Sequence, residues 1–306
     1  MIVTSAEEFL QAWGDGRRYP PVRPAAMRAA MLVSPRGFRV SEQAAQDNRY
    51  LAAGASVDPE RAHAQHRAVA ERLAELGVPV VLFAGQPGLD DAVYPNNAFA
   101  TVPGRLILGA MRHPVRQRET AREDVRRLFT QLLRYEVVDL GARRCVAELT
   151  GPLVIDRPRG VGFCGMSGRV DEAGCAAMHE AFGLALTFRF ALAEGEYHTN
   201  VVFSVLAGRA AVLHAGSFAD PEVPQAIARA YPERTLLLTD EEKAAFCGNC
   251  LAVTPADVMM SARAAAALRP EAHAALQAWG FRVHAVAIDE LEKGGGSLRC
   301  LIAEVF

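Results

Sequence analysis

An apolar pattern that recurs about every 50 residues constrains the fold of this 306-residue chain more than any other feature. Each repeat contains a β-rich apolar run, a tight turn, a second run, a helical pattern and a final β-rich run. Four copies follow one another, and their first runs begin at Phe99, Gly151, Val201 and Leu251. Such a repeat predicts one supersecondary unit per copy, which buries its apolar face only against its neighbours.

A fifth copy appears when the two ends of the chain are taken together. The run Leu301–Phe306 is predicted to pair with Ala30–Ser34, and the helix His63–Leu76 and the strand Val78–Phe83 complete the unit. Pairing of these strands removes an exposed sheet edge. The sequence therefore predicts an α/β protein of five ββαβ units, arranged as a pseudo-fivefold propeller and closed by the N- and C-terminal strands.

The chain shows no linker or low-complexity segment, and this favours one main domain. Residues 1–28 carry little regular pattern beyond a short helix near Ala6–Trp13, so we expect a leader packed on the body. Residues 29–306 are predicted to form a single catalytic domain.

One polar or reactive residue stands just before the first strand of each unit. These residues are spaced 51, 50, 51 and 51 positions apart, and they are Asn97, Glu148, His198, Asn249 and Cys300. Near-fivefold symmetry would aim all five side chains at one point on the axis. The glycine run Gly294–Gly296 allows the backbone before Cys300 to pass close to that point.

These residue types suit nucleophilic catalysis. A cysteine thiolate is a nucleophile, and a histidine can protonate a leaving amine and then deprotonate the incoming water. A carboxylate accepts hydrogen bonds from N–H groups, whereas an amide offers both a donor and an acceptor. Since the sequence has neither a metal motif nor a strand–GxGxxG–helix unit, we expect no metal and no other cofactor.

Each of these residues also has a purely structural explanation. Cys300 could be a small buried apolar residue, His198 a satisfied core histidine and Glu148 a surface charge. The asparagines could be turn formers. The CxxC motif Cys247–Cys250 lies at a strand start, which favours a structural role over a redox role.

Composition and charge exclude several other classes of protein. A net charge of −2 and a pI near 6.5 give no basis for a nucleic-acid or anionic-membrane partner. The N-terminus has no basic signal-peptide region, and no apolar run approaches the roughly 20 residues of a membrane span. Six cysteines without a secretory signal are typical of cytosolic thiols. We therefore expect a cytoplasmic enzyme with a small-molecule substrate, and the sequence leaves homo-oligomerisation open.

Five motifs, in order along the chain, resemble the guanidino-group modifying enzymes of the pentein superfamily. They are LDDAVYPNNAF (89–99), AELTGPLVIDR (147–157), YHTNVVF (197–203), FCGNCL (246–251) and GGGSLRCLIAEVF (294–306). This superfamily includes arginine deiminases, dimethylarginine hydrolases and glycine amidinotransferases, and the motifs are most similar to its bacterial citrulline-hydrolase branch. The resemblance runs from about residue 28 to the end and implies the pentein fold.

The resemblance also implies a covalent mechanism. Cys300 would attack the central carbon of a guanidino or ureido group, with His198 as general acid and then general base. Glu148 would hold substrate nitrogens or support His198. Asp91 would contact the substrate amine or simply hold its loop. An amino-acid substrate needs a cation for its α-carboxylate, and the candidates are Arg112, Arg116 and Arg299.

Two amides favour a neutral substrate. Arginine-directed relatives typically carry aspartate at the positions of Asn97 and Asn200. A guanidinium is a cation with donors only and pairs best with carboxylates, whereas a ureido group is neutral and has a carbonyl acceptor. We therefore hypothesise that citrulline is hydrolysed to ornithine, ammonia and carbon dioxide. Asn249, Asn97 and Asn200 would then bind the ureido group.

Other functions stay open at this point. Because Glu148, Asp90 and Asp91 are acceptors for a cation, the enzyme could be an arginine deiminase, a dimethylarginine hydrolase or an amidinotransferase. Ala98 and Leu149 replace the Trp and Gly that are usual in close relatives, and both could reshape the pocket. A non-catalytic scaffold is a third alternative, although its expected mark, loss of the cysteine or histidine, is not seen.

Overall fold

The computed structural model describes residues 1–14, 19–40, 47–52 and 54–306. Its strands are β1 (Ile2–Val3), β2 (Ala29–Val33), β3 (Val80–Phe83), β4 (Phe99–Val102), β5 (Arg105–Leu108), β6 (Glu136–Asp139), β7 (Leu153–Asp156), β8 (Val161–Met166), β9 (Leu186–Ala191), β10 (Phe203–Leu206), β11 (Ala210–Leu213), β12 (Thr235–Leu237), β13 (Leu251–Ala252), β14 (Asp257–Ser261), β15 (Arg282–Val286) and β16 (Ala303–Val305). Its helices are α1 (Ala6–Trp13), α2 (Pro59–Glu75), α3 (Pro114–Thr120), α4 (Glu123–Arg127), α5 (Glu172–Ala181), α6 (Thr199–Val202), α7 (Glu222–Ala230), α8 (Asp240–Ala244), α9 (Ala262–Ala267), α10 (Pro270–Ala278) and α11 (Asp289–Glu292). The protein is therefore a mixed α/β protein, as predicted.

Within the described ranges, the strands form five sheets that share one pattern. An antiparallel pair is followed by a parallel strand, and a helical segment makes the parallel connection. The strand orders are β16–β2–β3, β4–β5–β6, β7–β8–β9, β10–β11–β12 and β13–β14–β15. In the first of these sheets, β16 pairs antiparallel with β2, with Ala303 opposite Met31. The predicted pairing of the last strand with the first unit is confirmed.

The first residues of the chain add to the third of these sheets. β1 pairs parallel with β9 and forms the edge strand of this sheet. A capping box of Ser5 and Glu8 starts α1, which buries Phe9 so that its ring stacks on Phe188 with centroids 4.7 Å apart. The division into a leader, 1–28, and a single catalytic domain, 29–306, stays a prediction.

Two helical patterns of the sequence are interrupted. The pattern over 262–279 forms α9 and α10, because the residue before Pro270 is kept out of the helical conformation. The pattern over 116–133 forms α3, α4 and a π-helical turn, Leu128–Leu132. Between α3 and α4, the backbone of Arg122 is extended while its side chain pairs with Asp124. None of the helices in the described part of the chain is both long and apolar enough to cross a membrane.

The residues just before the first strand of each sheet are all buried. Asn97 ends a 3₁₀ turn before β4, His198 immediately precedes α6 and β10, and Cys300 lies in the 3₁₀ turn Leu298–Leu301 before β16. Glu148 and Asn249 lie in the turns before β7 and β13. None of these five residues is more than 4% exposed, so each side chain depends on partners inside the protein.

Candidate active site

Cys300 lines a narrow pocket, and its thiol contacts two amides. Its Sγ lies 3.5 Å from Nδ2 of Asn249 and 4.0 Å from Nδ2 of Asn200. Gly296 packs against the same residue, because an added Cβ there would lie 3.1 Å from Cβ of Cys300 and 2.9 Å from the ring of Tyr94. The glycine run therefore allows the close backbone approach that the sequence predicts.

The two asparagines are held by backbone groups. Nδ2 of Asn249 donates to the carbonyl of Asn200 at 2.7 Å, and the backbone N–H of Arg299 donates to Oδ1 of Asn249 at 3.0 Å. Nδ2 of Asn200 donates to the carbonyl of Thr150 at 2.9 Å. Oδ1 of Asn200 is buried and has no partner among the described residues. This oxygen is therefore available to an N–H donor near the thiol.

His198 and Glu148 form a fully buried pair. Nε2 of His198 lies 2.9 Å from Oε2 of Glu148, which also accepts a hydrogen bond of 3.1 Å from Nη1 of Arg169. The backbone N–H of Arg112 donates to the other oxygen at 3.2 Å. A Cβ at Gly151 would lie 2.6 Å from Nε2 of His198, so glycine is needed beside the ring. Nδ1 of His198 has no partner in the described part of the chain.

Burial and Arg169 set the charges of this group. Burial acts to raise the pKa of Glu148, but Arg169 and His198 outweigh it and hold this pKa well below its usual range. Burial lowers the pKa of His198 to about 4, although Glu148 acts in the opposite direction. The pKa of the Cys300 thiol is raised by burial, against a hydrogen bond from Asn249. At neutral pH the resting site therefore holds a carboxylate, a neutral imidazole and a protonated thiol.

Asp91, Asn97 and Arg116 line the same pocket as Cys300. Both carboxylate oxygens of Asp91 and Oδ1 of Asn97 are buried, without hydrogen-bond partners among the residues described. Burial raises the pKa of Asp91, and Arg116 opposes this shift. The cavity volume of the pocket is about 20 Å³. The pocket thus brings together acceptors, a thiol and a cation.

Arg169 is a pocket residue that the repeat spacing does not single out. It is 2% exposed, lines the pocket with Cys300, and joins two carboxylates. Beyond its bond to Glu148, it donates to Asp47 through Nη2 at 2.5 Å and Nε at 3.1 Å. A buried carboxylate such as Glu148 requires a cationic partner. This requirement is the signal in the sequence that could have predicted an arginine beside Glu148.

The sequence predicts three arginines as candidate ligands of an α-carboxylate, and two of them, Arg299 and Arg112, point away from the pocket. Arg299 donates to Glu304 at 2.8 Å and to the carbonyl of Ile302 at 3.0 Å. The side chain of Arg112 donates to the carbonyl of Gly168 at 2.8 Å. Arg116 is the candidate that lies in the pocket.

Several solved structures share this fold. The N-terminal domain of ArgZ, an arginine dihydrolase from the ornithine-ammonia cycle in cyanobacteria, has been solved as a cysteine-to-serine variant bound to substrate. It is 18% identical, with a TM-score of 0.78 over 90% of this chain and 97% of that domain. DDAH from Pseudomonas aeruginosa, as a cysteine-to-serine variant complexed with citrulline, is 17% identical, with a TM-score of 0.70 over 91% of this chain and 99% of that one. Unliganded AgrE is 20% identical, with a TM-score of 0.78. The match covers 92% of this chain and 40% of AgrE. The fold is therefore that of the pentein enzymes.

The family follows from the sequence match. Residues 34–306 match the model of the family described as N,N dimethylarginine dimethylhydrolase, eukaryotic, and the chain belongs to this family. No curated protein sequence matches the chain. The predicted superfamily is confirmed, and so is the predicted class of hydrolase acting on carbon–nitrogen bonds other than peptide bonds. The choice of citrulline as substrate stays a prediction.

Proposed function

We propose that this protein is a cysteine hydrolase of a ureido amino acid, which converts citrulline to ornithine, ammonia and carbon dioxide. The observation that supports this most is the surroundings of Cys300, whose thiol contacts the amides of Asn200 and Asn249 in a pocket that Asn97 also lines. Amides offer both donors and acceptors, as a ureido group requires. They also leave no uncompensated charge when the substrate is neutral.

Catalysis begins with transfer of the thiol proton. Because the thiol is protonated and the imidazole is neutral at rest, Nδ1 of His198 accepts this proton as Sγ of Cys300 bonds to the ureido carbon. Glu148 holds the ring through Nε2 and stabilises the imidazolium. The carbonyl oxygen gains negative charge, and the side-chain amide donors of Asn249 and Asn200 lie beside Sγ to stabilise it.

The intermediate then collapses with release of ammonia. His198 returns its proton to the departing nitrogen, the carbon–nitrogen bond breaks, and a thiocarbamate remains on Cys300. His198 next accepts a proton from water, whose oxygen attacks the carbonyl carbon. The carbon–sulfur bond breaks, and the thiol recovers its proton. The released carbamic acid loses carbon dioxide and leaves ornithine, so that one water is consumed.

The ends of an amino-acid substrate find complementary groups in the pocket. The free carboxylate oxygens of Asp91 would accept hydrogen bonds from the α-ammonium group. Arg116 and Arg169 line the same pocket, and guanidinium groups pair well with carboxylates. We therefore propose that these two arginines bind the α-carboxylate.

We also propose that the five sheets surround a central channel as a pseudo-fivefold propeller. A cavity of about 30 Å³ is lined by residues from the first strands of four units, including Val154, Ser204, Leu251 and Glu304. The remaining first strand, β4, joins them because Oγ1 of Thr101 donates to the carbonyl of Glu304 at 3.1 Å. We further propose that residues 1–28 are a leader packed on a single catalytic domain, 29–306, and that the protein is cytoplasmic.

A product assay tests the substrate. Purified protein is incubated with citrulline, arginine and dimethylarginine in parallel, and ornithine, citrulline and ammonia are measured. We expect ornithine and ammonia from citrulline. Arginine or dimethylarginine consumed faster than citrulline would contradict the choice of a ureido substrate.

The second candidate is hydrolysis of a guanidino group. It is supported by the buried carboxylates of Asp91 and Glu148, by the family description and by the fold shared with an arginine dihydrolase. The same assay separates the alternatives. Citrulline accumulating from arginine indicates a deiminase, ornithine from arginine indicates two successive hydrolyses, and citrulline from dimethylarginine indicates the activity that the family description names.

Replacing Asn97 by aspartate is expected to move the preference from ureido to guanidino substrates. Oδ1 of Asn97 is buried without a partner in the described structure, so a carboxylate there would need a cationic substrate to neutralise it. We expect kcat/KM for citrulline to fall about 10- to 100-fold while the arginine-to-citrulline ratio of kcat/KM rises.

Competition kinetics with both substrates measure this ratio. The matched control is Asn96→Asp, since Asn96 is also buried but bonds to Thr150 and does not line the pocket. The control should lower stability without changing the ratio. An unchanged ratio in Asn97→Asp would show that the amide at this position does not select the substrate charge.

A further inference from the structure

Glu119 is a buried carboxylate that takes no part in the proposed reaction. It lies on α3, is 1% exposed, and stands three residues after Arg116. Its Oε1 lies 3.1 Å from Nε of Arg116, and its Oε2 lies 3.3 Å from Nε and 2.9 Å from Nη2. The carboxylate therefore grips one edge of the guanidinium with both oxygens.

The same edge of the Arg116 guanidinium has further acceptors, whereas the described residues offer none at the opposite end. Nη2 of Arg116 also donates to the carbonyl of Tyr94 at 3.0 Å and lies 3.5 Å from the carbonyl of Asp91. Among the described residues, none accepts a hydrogen bond from Nη1. Because Nε and Nη2 are occupied, Nη1 is the donor that remains for a ligand in the pocket that Arg116 lines.

We propose that Glu119 is a positioning residue, which fixes the guanidinium of Arg116 so that Nη1 meets the α-carboxylate of the substrate. This inference rests on the proposed function, because it concerns recognition of an amino-acid substrate. A free arginine side chain loses considerable rotamer entropy when it binds a ligand. Glu119 removes most of that cost in advance, which is how preorganisation increases affinity.

The proposed role of Glu119 concerns the amino-acid end of the substrate and not its reacting ureido or guanidino group. Glu119 would act on the α-carboxylate alone, so substrates that lack this group should not depend on it. A pair that merely anchors α3 to the loop containing Asp91 and Tyr94 would instead affect every substrate alike. Substrates with and without the α-carboxylate therefore distinguish the two roles.

The test compares wild type with Glu119→Gln on four compounds: citrulline, arginine, and the α-decarboxylated analogues 4-ureidobutylamine and agmatine. The amide is nearly isosteric, but its NH₂ group faces guanidinium donors and breaks the two-oxygen grip. We expect KM for the amino acid that wild type hydrolyses to rise about 10- to 100-fold, with kcat changed less than about threefold. KM for the matching decarboxylated analogue should stay within about twofold of wild type.

Two further variants complete the comparison. Glu119→Asp keeps the charge but withdraws the carboxylate by one methylene, so it should show the same selective rise in KM, reduced in size. It also carries the test if the amide variant does not fold, as judged by thermal unfolding. Glu123→Gln removes a carboxylate whose side chain is 73% exposed, nearby on α4, and should leave all constants unchanged.

The outcomes are separable. An equal rise in KM for the amino acid and its decarboxylated analogue, or no rise in either, overturns the positioning role of Glu119 and leaves the proposed function intact. If wild type hydrolyses none of the four compounds, the proposed function fails, and the inference fails with it.

Discussion

Replacing Cys300 by alanine is expected to lower kcat by about 10⁴-fold or more on every substrate that the wild type accepts. The reason is that the covalent bond in the proposed mechanism forms at Sγ, and no other cysteine lines the pocket in the described part of the chain. Alanine leaves a small space beside Asn249 and Asn200 and adds no charge, so the fold should be retained. Ammonia release under saturating substrate measures the effect.

Two further measurements make this result specific. Cys145→Ala removes a half-buried thiol outside the pocket and should retain wild-type activity. Mass spectrometry of acid-quenched enzyme should find substrate-derived mass on the peptide that contains Cys300 in the wild type and none in Cys300→Ala. Activity of the alanine variant within tenfold of wild type would remove Cys300 from the role of nucleophile.

The second large effect is expected from His198→Asn. The asparagine is polar and of similar size, but it cannot carry a proton between the thiol, the departing ammonia and the attacking water. Because general acid–base catalysis contributes about 10²- to 10⁴-fold, we expect kcat to fall within that range while KM changes little. Steady-state kinetics on the substrate identified in the product assay give both constants.

Two other variants test whether the effect is specific to proton transfer by His198. His284→Asn removes a histidine of β15 that pairs with Asp257 outside the pocket, and it should leave kcat unchanged. Glu148→Gln should lower kcat less than His198→Asn, since the ring remains but loses the carboxylate that orients it. A variant His198→Asn with wild-type kcat would show that another group transfers the proton.

The spacing of the repeat selects five residues that the local sequence does not single out. Asn97, Glu148, His198, Asn249 and Cys300 each precede the first strand of a unit, and all five are buried. Cys300 contacts Asn249, and His198 contacts Glu148, whereas convergence of all five side chains on one point stays a prediction. The pairing of β16 with β2 is also predictable, because a strand without a partner exposes a sheet edge. Both inferences use long-range regularity, which a period of about 50 residues makes visible in one sequence.

Contacts outside the repeat could not be predicted in this way. The partners of Arg169 and Glu119 depend on how particular turns and helices pack. The buried carboxylate of Glu148 implies a nearby cation, but the chain has 33 lysines and arginines from which to choose. The split of the pattern over 116–133 into α3 and α4 likewise depends on Arg122 and its contacts with Asp124 and the carbonyl of Ala84.

The position of β16 has a consequence for biosynthesis. A chain emerges from the ribosome in sequence order, so β2 and β3 are made early and β16, with Cys300 just before it, is made after every other strand described here. Until then the first sheet lacks its antiparallel member, and the edge of β2 is open to unwanted pairing. A nascent or prematurely terminated chain thus lacks Cys300, the proposed nucleophile, so the first sheet is completed only when this thiol has also been added.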